Sequence, residues 1–274
     1  MIRTDDDARF AVPLPLDVKA VMRQGARPFT PADEFVQVNL TTVIFTSPVP
    51  SHPSTWLLEN VYDSIRYHLP NMRIVVLADG TDGDEPGSYV EFKNQARRKG
   101  WELLAFKGRH LQSLMLREAL LNVVKTPLVM VAEGDWGLRK LYVDWCGIAE
   151  VLLDPTCRYK LVQLRQDRLG DWELTSRDHS FGALECYHGV NLLPTTWFQC
   201  PTHVANSDWY RRLVPFMLTP QFLERDELTE GMRFIGALNE MACYIPPGPM
   251  MGRCYHLDGR NVVNIRQADG LDYA

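Results

Sequence analysis

No stretch of this 274-residue chain is apolar for long enough to span a membrane, and its opening residues, MIRTDDDARF, are acidic where a secretory leader would be basic. A cytoplasmic location is expected, in a cell of its own or inside an infected host. The six cysteines (Cys146, Cys157, Cys186, Cys200, Cys243, Cys254) form no C-x-x-C pair and no close metal spacing. Free buried thiols in a reducing compartment fit them better than a disulfide framework. Basic excess is missing too: the net charge is -5 and the pI near 5.8, so there is no global attraction for nucleic acid or an anionic membrane. Only Arg97-Arg98-Lys99 and Lys107-Gly108-Arg109-His110 concentrate positive charge, and each reads most simply as a solvated face. Internal repeats and low-complexity segments are absent, and nothing in the residues marks an obligate protein partner.

What is present is the composition of a globular α/β chain, 46% hydrophobic and 23% charged, long enough to bury a full core. Residues 1–36, with Pro13, Pro15, Pro28 and Pro31, read as an extended arm. From VNLTTVIFTSPVP onward, strand and helix patterns alternate. SHPSTWLLENVYDSIRYHLP repeats apolar residues at helical spacing, with Ser54 as an N-cap, and MRIVVLADGTDG is a second buried strand. YVEFKNQARRKG reads as helix, WELLAFKG as a short strand, LQSLMLREALLNVVKT as an amphipathic helix and PLVMVAEGD as a third strong strand. Continuous apolar strands alternating with helices predict a mainly parallel sheet covered on both faces. Beyond residue 140 the pattern weakens. LYVDWCGIAEVLL, SDWYRRLVPFML and ERDELTEGMRFIGALNEM read as helices, YKLVQLRQDR as a strand, and an aromatic-rich loop region lies between. The division expected is an arm at 1–36, a first half at 37–140 and a second half of the same domain at 141–274.

Ligands of such sheets bind at the carboxyl ends of the strands. Here those ends are Thr46-Ser47-Pro48, Asp79-Gly80 and Glu133-Gly134-Asp135. Two carboxylates set two residues apart at the end of an apolar strand raise each other's pKa unless a cation neutralises them. Hard oxygen ligands in that arrangement suit Mg²⁺ or Mn²⁺ carrying substrate phosphates, and Gly134 would leave room for a bulky ligand near the backbone. Acid-Gly-acid also occurs in ordinary surface turns. Asp79 stands where a carboxylate could accept hydrogen bonds from a base or ribose, although Asp-Gly is also simply turn chemistry. Trp136 adjoins the acidic pair and could stack on a sugar or base.

The series TTVIFTSPVP, IVVLADGTDG and REALLNVVKTPLVMVAEGDWGL resembles the nucleotide-sugar-binding half of a GT-A glycosyltransferase of the broad family 2 type, over roughly residues 38–140. The resemblance implies a GT-A (Rossmann-like) fold with a loop-rich acceptor-binding C-terminal part. It also implies transfer of a sugar from a nucleoside-diphosphate donor, UDP-sugar favoured, to an acceptor hydroxyl. Thr46, Ser47, Pro48, Asp79, Gly80 and Trp136 would contact the donor, and Glu133 and Asp135 would hold Mn²⁺ or Mg²⁺, with Glu replacing the family's first Asp. Relatives carry a further histidine ligand near the C-terminus, a role that would fall to His256 in CYHLDGR. An inverting enzyme of this kind needs a carboxylate base at a helix start, which FLERDELTEG offers as Asp226, Glu227 or Glu224. The plain alternative for those acids is stabilisation of a helix N-terminus.

Two other classes share parts of the pattern. A nucleotidyltransferase acting on a sugar phosphate also uses a divalent metal and paired acids, but it usually opens with a glycine-rich basic loop that TSPVPSHPST lacks. A non-catalytic carbohydrate- or partner-binding module could retain the fold alone. The acceptor could be a saccharide or a modified nucleic acid gripped through the two basic clusters, as in a viral DNA-modifying transferase.

Overall fold

The computed structural model describes residues 33–47, 55–80, 87–164, 183–196, 198, 202–223, 226–246 and 253–256, with the backbone alone at 87–89, 226–227 and 255–256. Its first half follows the alternation read in the sequence: β1 (Leu40–Thr46), α2 (Trp56–His68), β2 (Arg73–Ala78), α3 (Gly87–Arg98), β3 (Glu102–Ala105), α4 (Leu111–Glu118) and β4 (Leu128–Glu133). Helix α1 (Glu34–Asn39) precedes them, so the last residues of the expected extended arm are helical. Asp33 causes this by accepting the Val36 N–H at 2.8 Å as an N-cap. The expected cap Ser54 lies outside the described residues. Thr55 occupies the cap position of α2, and its hydroxyl turns instead to Glu59 and, at 2.7 Å, to Gln95 of α3.

β2, β1 and β4 are continuous apolar runs because both faces of the sheet are covered. Ile44, Val76 and Met130 point to the face packed by Leu58, Val61 and Ile65 of α2, while Val43, Val75 and Val131 point to the face packed by Met115 and Leu116 of α4. Ile65 is fully buried, and truncation of such a side chain to alanine costs about 2–5 kcal/mol. After α4 the chain makes one π turn, Ala119–Val123.

The second half adds β5 (Trp136–Leu138), α5 (Trp145–Leu153), β6 (Leu161–Gln163), β7 (Glu185–Tyr187), β8 (Val190–Pro194), β9 (His203–Asn206), α6 (Ser207–Arg211), α7 (Asp226–Phe234), β10 (Met241–Ile245) and β11 (Cys254–His256). The large sheet has the order β3-β2-β1-β4-β9-β6-β10-β8-β7, so the two halves share it across the β4–β9 boundary. Only β9 and β8 run against the other strands, which makes the sheet mainly parallel. Two helices are shorter than their patterns suggest. α6 stops before a 3₁₀ turn at Val214–Phe216 that contains Pro215, and α7 stops before Gly236, whose φ of 72° is left-handed. Among the described residues Cys146, Cys157, Cys186, Cys243 and Cys254 are free thiols, and no described helix is long and apolar enough to cross a membrane.

Candidate active site

The parallel register sets the three predicted strand ends side by side. Phe45 is level with Glu133, and Thr46 with Ala78. Two backbone bonds tie the ends together just past the strands: Asp79 N–H donates to Thr46 O at 2.9 Å, and Gly134 N–H donates to Phe45 O at 2.7 Å. Gly134 is needed for this approach, since a Cβ there would stand 3.0 Å from Phe45 O and 3.1 Å from Thr46 Oγ1. Gly134 itself lines the cavity at this edge, between the two acids. What closes on the glycine is the end of β1, and the consequence is that both acids are drawn to the same edge.

That edge opens into a cavity of about 250 Å³. Thr46, Ser47, Asp79, Gln112, Glu133 and Asp135 form its polar side, while Leu57, Leu58, Phe92, Leu111, Met115 and Phe222 form an apolar wall. Mixed lining of this kind, mostly apolar with a few convergent polar groups, is typical of small-molecule sites.

Each side of the acidic turn is anchored. Upstream, Gln112 Nε2 donates to Glu133 Oε1 at 2.8 Å. Downstream, β5 is held on α2, where Leu138 N–H donates to Ser64 Oγ at 2.9 Å and His68 Nε2 donates to Arg139 O at 2.7 Å. Burial pushes the His68 imidazole down to about 4, although the Arg139 carbonyl works the other way, so the ring is neutral at pH 7. β5 in turn pairs with β11, whose antiparallel register sets His256 opposite Trp136, next to Asp135 in sequence. The buried Arg253 stabilises this short sheet, its Nε donating to Tyr142 O at 2.8 Å while its backbone carbonyl accepts Arg139 N–H at 2.9 Å.

Two residues expected to contact the donor have structural duties of their own. Asp79 is buried, and its two carboxylate oxygens accept the backbone N–H groups of His110 (2.6 Å) and Leu111 (3.0 Å), so it fixes the start of α4 while lining the cavity. Trp136 packs its ring against the core on the α2 side of the sheet, and the apolar wall comes from other residues. Gly80, with φ 62°, makes the turn that follows β2. Pro48 and Glu224 lie outside the described residues. Asp226 and Glu227 open α7.

Gln112, Leu111 and Phe222 also line the cavity, and the sequence pattern does not single them out. LQS reads as the first turn of an amphipathic helix, yet Leu111 has φ 52°, unusual for a non-glycine residue, and Gln112 and Ser113 are buried. The available signal is two consecutive polar residues heading a strongly apolar run, directly after KGRH.

The donor set fits a hard cation. Among the described residues no group of three or more His, Cys, Asp or Glu side chains could hold a metal, and Glu133 and Asp135 are the two carboxylates of the acidic turn that line the cavity. Mn²⁺ and Mg²⁺ accept that, because they complete their shell with waters and substrate phosphates.

No protein-family model matches the chain, and no curated protein matches its sequence. Solved structures do match. A CMP:2-keto-3-deoxy-manno-octonic acid synthetase complexed with CTP superposes with a TM-score of 0.51 at 11% identity, over 85% of this chain and 100% of that one. The chain has a GT-A-type fold. Two glycosyltransferases align more loosely. The mannosyltransferase PcManGT from Pyrobaculum calidifontis, in complex with GDP-Man and Mn²⁺, has a TM-score of 0.44 at 14% identity over 83% of this chain. This chain spans 62% of that enzyme's length. Glucosyl-3-phosphoglycerate synthase from Mycobacterium tuberculosis, with Mn²⁺, UDP-glucose and phosphoglyceric acid, has a TM-score of 0.46 at 13% identity, over 90% of this chain and 84% of that one.

Proposed function

We propose that the chain is a metal-dependent glycosyltransferase that moves a sugar from a nucleoside-diphosphate sugar to an acceptor hydroxyl. The observation that carries this reading is the meeting of three strand ends and two carboxylates in one half-apolar cavity. The apolar wall of Leu57, Leu58 and Phe92 suits a nucleoside, and Thr46, Ser47 and Asp79 supply polar contacts beside it. Glu133 and Asp135 would hold Mn²⁺ or Mg²⁺, with His256, brought alongside by β11, as a third ligand. Bound there, the cation supplies charge stabilisation to the departing diphosphate. Transfer to a hydroxyl with inversion also requires a base. Asp226 is our choice, with Glu227 and Glu224 as its neighbours, because α7 begins at Asp226 and follows directly on the segment that carries Phe222 into the cavity.

UDP-sugars are the favoured donors and a saccharide hydroxyl the favoured acceptor. The same fold serves sugar nucleotidyltransferases, so the deciding experiment analyses products. The chain is incubated with Mn²⁺ and a panel of nucleotide sugars, and separately with nucleoside triphosphates and sugar phosphates. Release of a nucleoside diphosphate from a nucleotide sugar, dependent on Mn²⁺, is expected. Pyrophosphate release from a triphosphate would replace this reading with nucleotidyl transfer, and no turnover of either kind would leave a binding module.

A further inference from the structure

Three consecutive residues at the start of α4 join three separate parts of the site. Leu111 N–H reaches Asp79 after β2. Gln112 spans the gap between Glu133 and the second half: its Nε2 donates to Glu133 Oε1 at 2.8 Å, and its Oε1 accepts Leu223 N–H at 3.0 Å. Ser113 N–H donates to Gln221 O at 3.0 Å, and its hydroxyl donates to Thr219 O at 2.6 Å while accepting Gln221 N–H at 3.0 Å. The segment 219–223 is thus clipped to α4, carries Phe222 into the cavity wall and leads towards α7.

The amide of Gln112 has only one workable orientation. An ionised carboxylate can only accept and a backbone N–H can only donate, so the NH₂ must face Glu133 and the carbonyl must face Leu223. Both partners are distant in sequence, and Gln112 itself is buried. Replacing it by an apolar residue would leave Glu133 without this donor and Leu223 N–H without this acceptor.

Resting on the proposed function, we infer that Gln112 is a positioning residue that fixes the Glu133 carboxylate for the cation and, through the same amide, ties the cation site to the segment preceding the candidate base. Partners that orient metal ligands typically change metal affinity about 10- to 100-fold when removed. Gln112→Met keeps the length and removes both hydrogen bonds. Ser113→Ala removes the hydroxyl clips to 219–223 without touching Glu133.

The test measures Mn²⁺ binding by electron paramagnetic resonance in the presence of UDP, together with hydrogen exchange at the Leu223 amide and the melting temperature. For Gln112→Met the expected result is Mn²⁺ affinity weakened about tenfold, faster exchange at Leu223, and a melting temperature that does not account for the change. Ser113→Ala is expected to loosen 219–223 while Mn²⁺ binding stays at the wild-type value. If Gln112→Met does not fold, Gln112→Asn, one methylene too short to reach both partners, is expected to give the same weakening. An unchanged Mn²⁺ constant in the folded variant, with wild-type binding intact, overturns this inference alone. A wild-type chain that binds no Mn²⁺ overturns the proposed function and this inference with it.

Discussion

The two halves of the sheet are built by different rules. From β1 to β4, the four strands run parallel to one another in the order β3-β2-β1-β4, with helices between them along the chain. From β6 to β10, strands three to five residues long are ordered β9-β6-β10-β8-β7, with β9 and β8 reversed. The first arrangement holds the acidic turn and the neighbouring strand ends in register. Among the described residues, the chain beyond β5 contributes Phe222 to the cavity wall, and β11 sets His256 opposite Trp136. Under the proposed function, the donor would sit on the regular half and the acceptor on the irregular half.

That division predicts unequal consequences of mutation. Asp135→Ala should abolish metal-dependent donor turnover with the melting temperature unchanged; retained turnover in a kinetic assay would break the assignment of chemistry to the first half. Asp226→Asn, on the irregular side, should lower kcat by about 10³-fold while leaving donor binding nearly intact. Equal losses in both quantities would move the base to Glu227 or Glu224.

The next effect concerns how β5 is anchored. His68 has its folded-state pKa depressed to about 4 from 6.5 by burial. Between those values the unfolded chain binds a proton that the folded one does not, so stability falls as pH drops from 6.5 towards 4. The loss approaches roughly 3 kcal/mol at the lower end. Urea unfolding across that window should show the slope, and His68→Gln should flatten it.

Gly134→Ala pushes a methyl against Phe45 O and Thr46, and should cost about 1–3 kcal/mol with a larger loss of donor affinity than Leu192→Val on the irregular side. Paired melting and donor titrations separate the two. Smallest of all, Glu102→Gln weakens the ion pair with Arg73 at the exposed sheet edge and should change unfolding free energy by less than about 1 kcal/mol, read from paired urea titrations.

The same contrast explains what can be read from the residues alone. β1, β2 and β4 are legible because burial on both faces forces unbroken apolar runs, and parallel pairing forces helices between them. β9 is not: HVAN carries the buried His203, whose ring bonds Tyr210 Oη at 2.7 Å, and its strand partners come from far away in sequence. β10 is hidden because ERDELTEGMRFIGALNEM keeps a helical pattern past Gly236, where a left-handed residue ends it. At the site, Glu133 and Asp135 stand out as charges closing an apolar strand. Gln112 does not, because its meaning depends on partners 21 and 111 positions away. Asp79 is conspicuous for its position, but its capping of α4 needs three dimensions to see.

The central claim is that the Glu133–Asp135 turn holds a divalent cation that carries an activated sugar. Its most direct test is the melting temperature of wild-type and Asp135→Ala chains with a panel of nucleotide sugars, with and without Mn²⁺. A ligand at about a hundred times its Kd adds about 2.7 kcal/mol, which for a chain of this size is a rise of roughly 5–10 °C. The account predicts that rise for at least one nucleotide sugar, only with Mn²⁺ and only in the wild type. No rise for any of them, or an equal rise in Asp135→Ala, would contradict it.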